Sequence, residues 1–421
     1  MLRAAWPVAR WATLREIDKR VVSQRFLFWS FVVVIAVGCN AARVSPVQDA
    51  PTATVPPSPT TAPAPTTIPA AATVPPAHTA APTATKPPTP GPSSTAAMAA
   101  NVDFLAKPGP GTVRVMSYNV NWDSIFPPLD EENHDLRSAS RGMAFRRIVA
   151  AVQPDIVCLQ EINPERDPRQ VGDILAEVLS PEGDETWTAT STRDSVIASR
   201  FPVVAGGFEL PAPAFPLDLA QAAALIDLPD EAYGALDVYV VCAHFKAGGN
   251  TYDVLLRQRQ ADVIMSHVGD ALTPTGNLDL APGTPLIILG DFNIYETDPA
   301  HHLTTLLTGD IENEERYGPD VDPDWDGTAL ADALPSHSGL GQVFYTWRND
   351  AAPQDPGILD RIIYSDSALV IENAFILNTK LIAAEPLEGA GLREEDVLLN
   401  PQTGYYDHLP LVVDFALAGG R

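Results

Sequence analysis

The chain has 421 residues, 41 prolines, three cysteines and a formal net charge of −26. Its length admits one large domain or two ordinary ones, the prolines are too many for a single compact fold, and three cysteines exclude a disulfide framework. From Asn101 to Arg421 there are 19 basic residues against 50 acidic ones, about −31, which argues against tight non-specific binding to long duplex DNA.

Residues 1–38 carry six basic residues (Arg3, Arg10, Arg15, Lys19, Arg20, Arg25) and lead into the uncharged run Phe26–Val37. Twelve residues are short for a membrane span of ~20 and suit the apolar core of an export signal. Ala36-Val37-Gly38-Cys39 follows and resembles the lipobox of bacterial lipoproteins, with Ala36 where leucine is usual. That likeness implies a leader over 1–39, acylation of Cys39, membrane anchoring and a location outside the cytoplasm. Residues 40–100 are mostly Pro, Thr, Ala and Ser. Such a stretch cannot bury enough apolar surface to offset its ordering entropy, so it reads as a disordered linker, extended by its prolines.

The remainder, residues 101–421, reads as one globular domain. Thr112–Val120 is a predicted strand with Asn119 near its end. Helical spacing over Arg141–Val152 places Phe145, Ile148, Val149 and Val152 on one face. Pro154 stops that helix, and Asp155–Gln160 is the next strand, closed by Glu161. Val171–Leu179 is a second helix and Ser195–Ala198 a short strand. Ala235–Ala243 is a buried strand closed by His244, and Thr251–His267 a long helix bearing Arg257 and Arg259. Leu286–Leu289 is a short apolar run before Gly290-Asp291-Phe292-Asn293, the size of a fully buried strand. Leu359–Tyr364 and Leu409–Ala416 are two more strands. Cys158 and Cys242 sit inside apolar runs and read as buried thiols. Gly206–Leu236 and Thr308–Leu340 read as loops. In the second, Asp322, Asp324, Asp326 and Gly327 fit the start of a calcium loop, but Ala333 stands where a bidentate Glu is needed, so a solvated acidic turn is the better reading. The pattern predicts an α/β fold of two mixed sheets packed face to face, with helices outside.

Each apolar run begins or ends in a polar group: Asn119, Glu161, His244, Asp291 with Asn293, Asp360, and Asp407-His408. Strand ends are where α/β sheets place their chemistry. Carboxylates, amides and imidazoles without thiolates suit a hard divalent cation and a phosphate. A cation held by Glu161 can polarise a phosphoryl oxygen and stabilise a leaving oxygen. A histidine oriented by a carboxylate can take a proton from water or stabilise developing charge, and Asn293 can orient the nucleophile or a phosphate oxygen. Neither a GxSxG motif nor a Walker loop competes. Alone, Glu161 would read as a helix-cap acid and His244 as a satisfied core histidine; the ordered set makes them candidates.

That set, SYNVN, CLQE, AHFK, GDFN, LDRIIYS and YDHLP, spans Thr112–Ala416 and resembles the endonuclease/exonuclease/phosphatase superfamily. Its members include DNase I, abasic-site endonucleases, inositol-polyphosphate 5-phosphatases and bacterial sphingomyelinases. The resemblance implies a four-layer α/β sandwich and metal-dependent hydrolysis of phosphate esters, usually with Mg²⁺, with Mn²⁺ or Ca²⁺ as alternatives. By position it makes Glu161 the main metal ligand, with Asn119 beside it and Asp407 completing the acidic side. Asp291 and Asn293 would place the attacking water and the phosphate, and His408 would act with its ring held by Asp360. His244 matches the histidine of DNase I and the sphingomyelinases. Asn121 stands where abasic-site enzymes carry a metal-binding Asp, which argues against a close relative of those. Arg193, Lys246 and Arg361 are candidate phosphate contacts. The substrate stays open among nucleic acid, lipid headgroups and small phosphate esters. A non-catalytic surface protein keeping the fold is the second reading, disfavoured because the set is complete.

Overall fold

The structure, a computed structural model, describes residues 102–127, 136–180, 186–206, 221–274, 276–338, 342–351 and 354–418. The leader, Cys39 and the linker lie outside the described residues.

After a 3-10 turn at Val102–Leu105 come β1 (Thr112–Asn119), α1 (Leu136–Val152), β2 (Ile156–Gln160), α2 (Arg169–Leu179), β3 (Thr188–Thr192), β4 (Ser195–Ser199), β5 (Val203–Gly206) and β6 (Ala222–Ile226). A short α3 (Asp230–Tyr233) precedes β7 (Val238–His244), α4 (Thr251–Leu272), β8 (Leu286–Asp291), α5 (His301–Thr308) and α6 (Glu314–Tyr317). The chain closes with β9 (Ala331–Asp332), β10 (Asp360–Tyr364), β11 (Leu369–Ile376), α7 (Ala384–Gly389) and β12 (Leu411–Leu417). One six-stranded sheet has the order β11-β12-β1-β2-β4-β3, the other β5-β6-β7-β8-β10-β9. β1 pairs parallel with β2 and β7 with β8; the other pairings are antiparallel. The predicted pair of mixed sheets is what forms.

Alternation along the central strands builds the layers. Val238, Val240 and Cys242 of β7 join the core shared with the first sheet, while Tyr239, Val241 and Ala243 join a second core that includes Ala261, Ile264 and Val268 of α4. Successive strand side chains point to opposite faces, so one strand serves both cores. Phe145, Ile148, Val149 and Val152 of α1 are buried on the first sheet, as their spacing predicts.

Advancing each strand number of the second sheet by six, cyclically, reproduces the order of the first. The sequence carries a trace of this duplication. Glu161-Ile162-Asn163 lies at the end of β2 as Asp291-Phe292-Asn293 lies at the end of β8, and Asp194-Ser195-Val196-Ile197-Ala198-Ser199 parallels Asp360-Arg361-Ile362-Ile363-Tyr364-Ser365.

Three sequence expectations need correction. Cys158 and Cys242 are not free thiols but a disulfide joining β2 to β7 across the two sheets. Each is an inward residue of a central strand, and only the face-to-face packing brings them opposite. Second, Gly206–Leu236 is not simply a loop, because Ala222–Ile226 is a buried strand in register with β7. Its alanines lack the β-branched signal that marks strands. β11 escaped detection because Glu372 and Asn373 interrupt its apolar run, where the ladder shifts register. Third, Arg361 is paired with Asp332 of β9, so its charge is already engaged.

The acidic turn is not wholly solvated, since Asp324 is buried while Asp326 is exposed. Asp324 accepts from the Trp325 and Ser367 amides, and Asp326 caps Thr328.

A disulfide closing 84 residues contributes about 4–5 kcal/mol in the chain-entropy account. We expect Cys158 and Cys242 to alkylate under denaturing conditions only after reduction. The Cys158→Ala/Cys242→Ala protein should keep its fold and melt several degrees lower. Alkylation without reductant would contradict the bond.

Candidate active site

Strand ends from both sheets deliver the polar groups to one place. Register pairs Asn119 with Gln160 at the end of β1 and β2, and His244 with Asp291 at the end of β7 and β8, with Asp360 of β10 opposite Asp291. Gly290 is required at this crossing: its φ is 144°, and a Cβ there would lie 1.9 Å from the Ala243 carbonyl oxygen. No other residue lets β8 approach β7 so closely.

The centre is Asp291, 1% exposed. Its Oδ2 accepts from Asn119 Nδ2 at 3.1 Å and from Asn293 Nδ2 at 3.0 Å. The same oxygen lies 3.5 Å from His408 Nε2 and 3.8 Å from His244 Nε2. Oδ1 accepts from the Asn293 amide at 2.9 Å. Asn293, in left-handed backbone at φ 49°, is fixed further by donating to the Phe245 carbonyl at 3.2 Å.

Each imidazole is held from behind. His408 Nδ1 is 2.8 Å from Asp360 Oδ2, and the Asp360 amide donates to Thr346 Oγ1 at 2.9 Å. His244 Nδ1 is 2.9 Å from Asp194 Oδ2, while its amide donates to Gln221 Oε1 at 2.8 Å. A ring nitrogen bonded to a carboxylate carries the proton there, which turns Nε2 toward the site. Asp194 and Gln221 escaped the sequence reading. The repeat was the available signal for Asp194, since it immediately precedes β4 as Asp360 begins β10.

The electrostatics follow from this packing. Burial pushes the Asp291 carboxyl up to about 6, although His408 beside it pulls downward. Burial disfavours charge on His408, but the Asp360 and Asp291 carboxylates outweigh it and hold the imidazole well above its ordinary range. His244 is raised in the same way, against burial, by Asp194 and Asp291. Burial pushes the other way at Asp194 too, where the hydrogen bond from His244 prevails and lowers the carboxyl. The carboxylates around both rings therefore favour their protonated forms.

Glu161 stands at φ 62°, just past β2. Its Oε1 accepts from Asn119 Nδ2 at 3.1 Å and its Oε2 from the Trp122 amide at 2.8 Å. The chain of contacts continues through the Asn121 amide, which donates to Asn119 Oδ1 at 3.0 Å, and through Asn121 Nδ2, which donates to Asp407 Oδ2 at 2.9 Å. Asn121 thus links the three residues expected to hold a metal. Among the described residues, the carboxylates and imidazoles lying within 4.8 Å of one another are Asp291, Asp360 and His408. Asp360 Oδ1 is buried there without a hydrogen-bond partner among the described residues. An orphaned carboxylate oxygen, a second carboxylate on Glu161 and neutral amides are oxygen-rich donors, the kind a hard divalent cation takes. The residues fit such a cation.

Of the candidate phosphate contacts, Lys246 is half-exposed, with Nζ 3.8 Å from Asp253 Oδ1. Arg193 adjoins Asp194 in left-handed backbone at φ 57°.

His408 and Asp360 should act as a unit. His408→Ala and Asp360→Ala are each expected to lower kcat by several orders of magnitude on a phosphodiester, and the double variant by little more than the worse single. A double-mutant cycle, with folding checked by thermal melts, measures this; additive losses would refute it.

Comparison with known proteins identifies the family. The sequence model of the Endonuclease/Exonuclease/phosphatase family matches residues 116–382. Among solved structures, the chain is similar to the human Nocturnin catalytic domain with bound sulfate, at 20% identity, covering 74% of this chain and 97% of that one with a TM-score of 0.44. It is similar also to an endonuclease/exonuclease/phosphatase from Bacteroides vulgatus, at 18% identity, 73% and 99% coverage and a TM-score of 0.45. A third is D. rerio TDP2 complexed with single-strand DNA product, at 14% identity, 72% and 98% coverage and a TM-score of 0.42. No curated protein matches. The matched residues run from β1 to the turn before α7 and contain Glu161, His244, Asp291 and Asp360, so the chain belongs to the endonuclease/exonuclease/phosphatase family.

Proposed function

We propose that the chain is a divalent-metal-dependent phosphodiesterase that works outside the cytoplasm, anchored through Cys39. One observation carries the catalytic part: two histidines, each backed by a carboxylate, converge with Asn119 and Asn293 on Asp291 Oδ2. Such a cluster offers donors to a tetrahedral oxyanion and an acceptor for a proton in the same small volume.

Glu161, Asn119 and Asp407 would hold the cation, Mg²⁺ by preference, with the orphaned Asp360 Oδ1 a further oxygen near the centre. When bound, the cation supplies Lewis-acid polarisation of the phosphoryl group. His408, its ring fixed by Asp360, donates from Nε2 to a phosphoryl oxygen. His244 does the same from the other side, fixed by Asp194. Asp291 accepts the proton of the attacking water, and Asn293 orients that water. Lys246 and Arg193 stand by as contacts to more distant phosphate oxygens.

The cross-sheet disulfide supports the proposed location, because such bonds persist in oxidising compartments outside the cytosol. A lipobox-like Cys39 after an apolar run points the same way.

Hydrolysis of bis-(p-nitrophenyl) phosphate tests the chemistry. Wild-type protein should turn it over with Mg²⁺ or Mn²⁺ and stop in EDTA, and Glu161→Gln should lose nearly all turnover while melting as a folded protein. Undiminished rates in EDTA or in the variant would end the metal mechanism. For the location, Cys39→Ser should shift the protein from the membrane fraction to the soluble one. Persistent membrane association would instead favour an uncleaved anchor at Phe26–Val37.

A further inference from the structure

Trp122 is the most exposed large apolar side chain among the described residues, at 80%. An isolated exposed hydrophobe needs no explanation in itself. What separates Trp122 from the rest is its mounting. Its amide donates to Glu161 Oε2 at 2.8 Å, and the next amide, that of Asp123, donates to the Glu161 carbonyl at 2.7 Å. The backbone that carries the indole is thus bonded directly to the proposed metal-binding residue.

The backbone under it is unusual. Asn121, Trp122 and Asp123 have φ of 54°, 48° and 60°, three consecutive left-handed residues, none of them glycine. A bulky residue in that region is a true outlier, and backbone held in such regions clusters at functional sites. The loop is also clamped. Asp123 takes both Nε and the neighbouring guanidinium nitrogen of Arg166, and Arg166 lies 4.2 Å from the centre of the Phe126 ring. The indole therefore projects from a loop whose backbone and Asp123 are tied down beside Glu161.

We propose that Trp122 is the specificity-determining residue of this site, a stacking platform for a nucleobase on a nucleotide phosphodiester. The inference rests on the phosphodiesterase reading above and names its substrate class. A single open aromatic face suits a flat ring, and base–aromatic stacking tolerates any base. A quaternary ammonium headgroup, the rival ligand, is best held by an enclosing aromatic cage. Charge argues the same way. A domain near −31 lacks the electrostatic grip that long polyanions require, and stacking gains affinity without adding cations. The favoured substrates are therefore short or single-stranded nucleotide diesters.

Three esters sharing the p-nitrophenolate leaving group make the test: thymidine 5′-(p-nitrophenyl phosphate), methyl p-nitrophenyl phosphate and p-nitrophenylphosphorylcholine. Trp122→Gly suits it, because glycine keeps the amide on Glu161 and accepts φ 48° without strain. In Trp122→Gly, the ratio of kcat/KM for the thymidine ester to that for the methyl ester should fall on the order of tenfold, mainly through KM. Trp122→Tyr should restore most of it. Equal losses on both esters, an unchanged ratio, or a selective loss on the choline ester would each overturn the assignment. If the wild-type protein hydrolyses none of the three, the phosphodiesterase reading fails by itself. Calorimetric binding of thymidine 5′-monophosphate against inorganic phosphate then decides the platform. Weaker nucleotide binding in Trp122→Gly, with phosphate binding held in common, supports it, and equal nucleotide binding overturns it.

Discussion

The site depends on one oxygen, Oδ2 of Asp291. It is buried, yet hydrogen bonds from Asn119 and Asn293 and the nearby Nε2 atoms of His408 and His244 surround it. Those residues come from both sheets, so the oxygen ties the packing of the sandwich to the geometry of the site. A carboxylate in that position would cost several kcal/mol to bury alone. Two imidazoles and two amides offset that cost, and they do so only when the sheets are in register. Removing the carboxylate would also take away a charge that favours protonation of both rings, which is why chemistry and fold are hard to separate here.

Around this oxygen the backbone is held in conformations that chains usually avoid. Glu161, Asn293 and the run Asn121–Asp123 all have positive φ. Left-handed geometry costs non-glycine residues roughly 1–2 kcal/mol each. The compensation is local: the Glu161 carboxylate and carbonyl accept from Trp122 and Asp123, Asp123 pairs with Arg166, and Asn293 Nδ2 donates to both the Phe245 carbonyl and Asp291 Oδ2. Deeper in the sandwich, the Cys158–Cys242 bond fixes β2 against β7, the strands that end at Glu161 and His244. The strained shell therefore sits on strands that are covalently joined.

Much of this was legible in the sequence. Apolar runs ending in polar groups located β1, β2, β7, β8 and β10, because central buried strands leave a strong periodic signature and their ends leave a chemical one. Helix α1 was legible through Phe145, Ile148, Val149 and Val152. What stayed hidden was contact between elements far apart in the chain. Nothing local to Cys158 or Cys242 says that they face each other across 84 residues. Asp194 lay in a turn beside a weak strand, and only comparison with Asp360 through the repeat reveals its role. Ala222–Ile226 and Leu369–Ile376 are strands by virtue of their neighbours, since alanine and interrupted runs carry little strand preference of their own.

The placement of positive charge bears on how so acidic a domain could meet a phosphate ester. Its buried arginines are engaged in structure: Arg114 with Asp414, Arg166 with Asp123, and Arg257 with Asp298. Arg361, the basic residue nearest a catalytic motif, pairs with Asp332. These guanidiniums hold strands, loops and helices together and bring no field to the site. Beside Asp291 stand instead His408 and His244, whose protonation burial opposes and the surrounding carboxylates favour. The acidic residues at the centre thus favour a positive charge on the two imidazoles. Such a field is short in range, since each ring has a carboxylate within 3 Å and screening removes what remains beyond about 10 Å. A field of that range suits a single small anion better than a long polyanion.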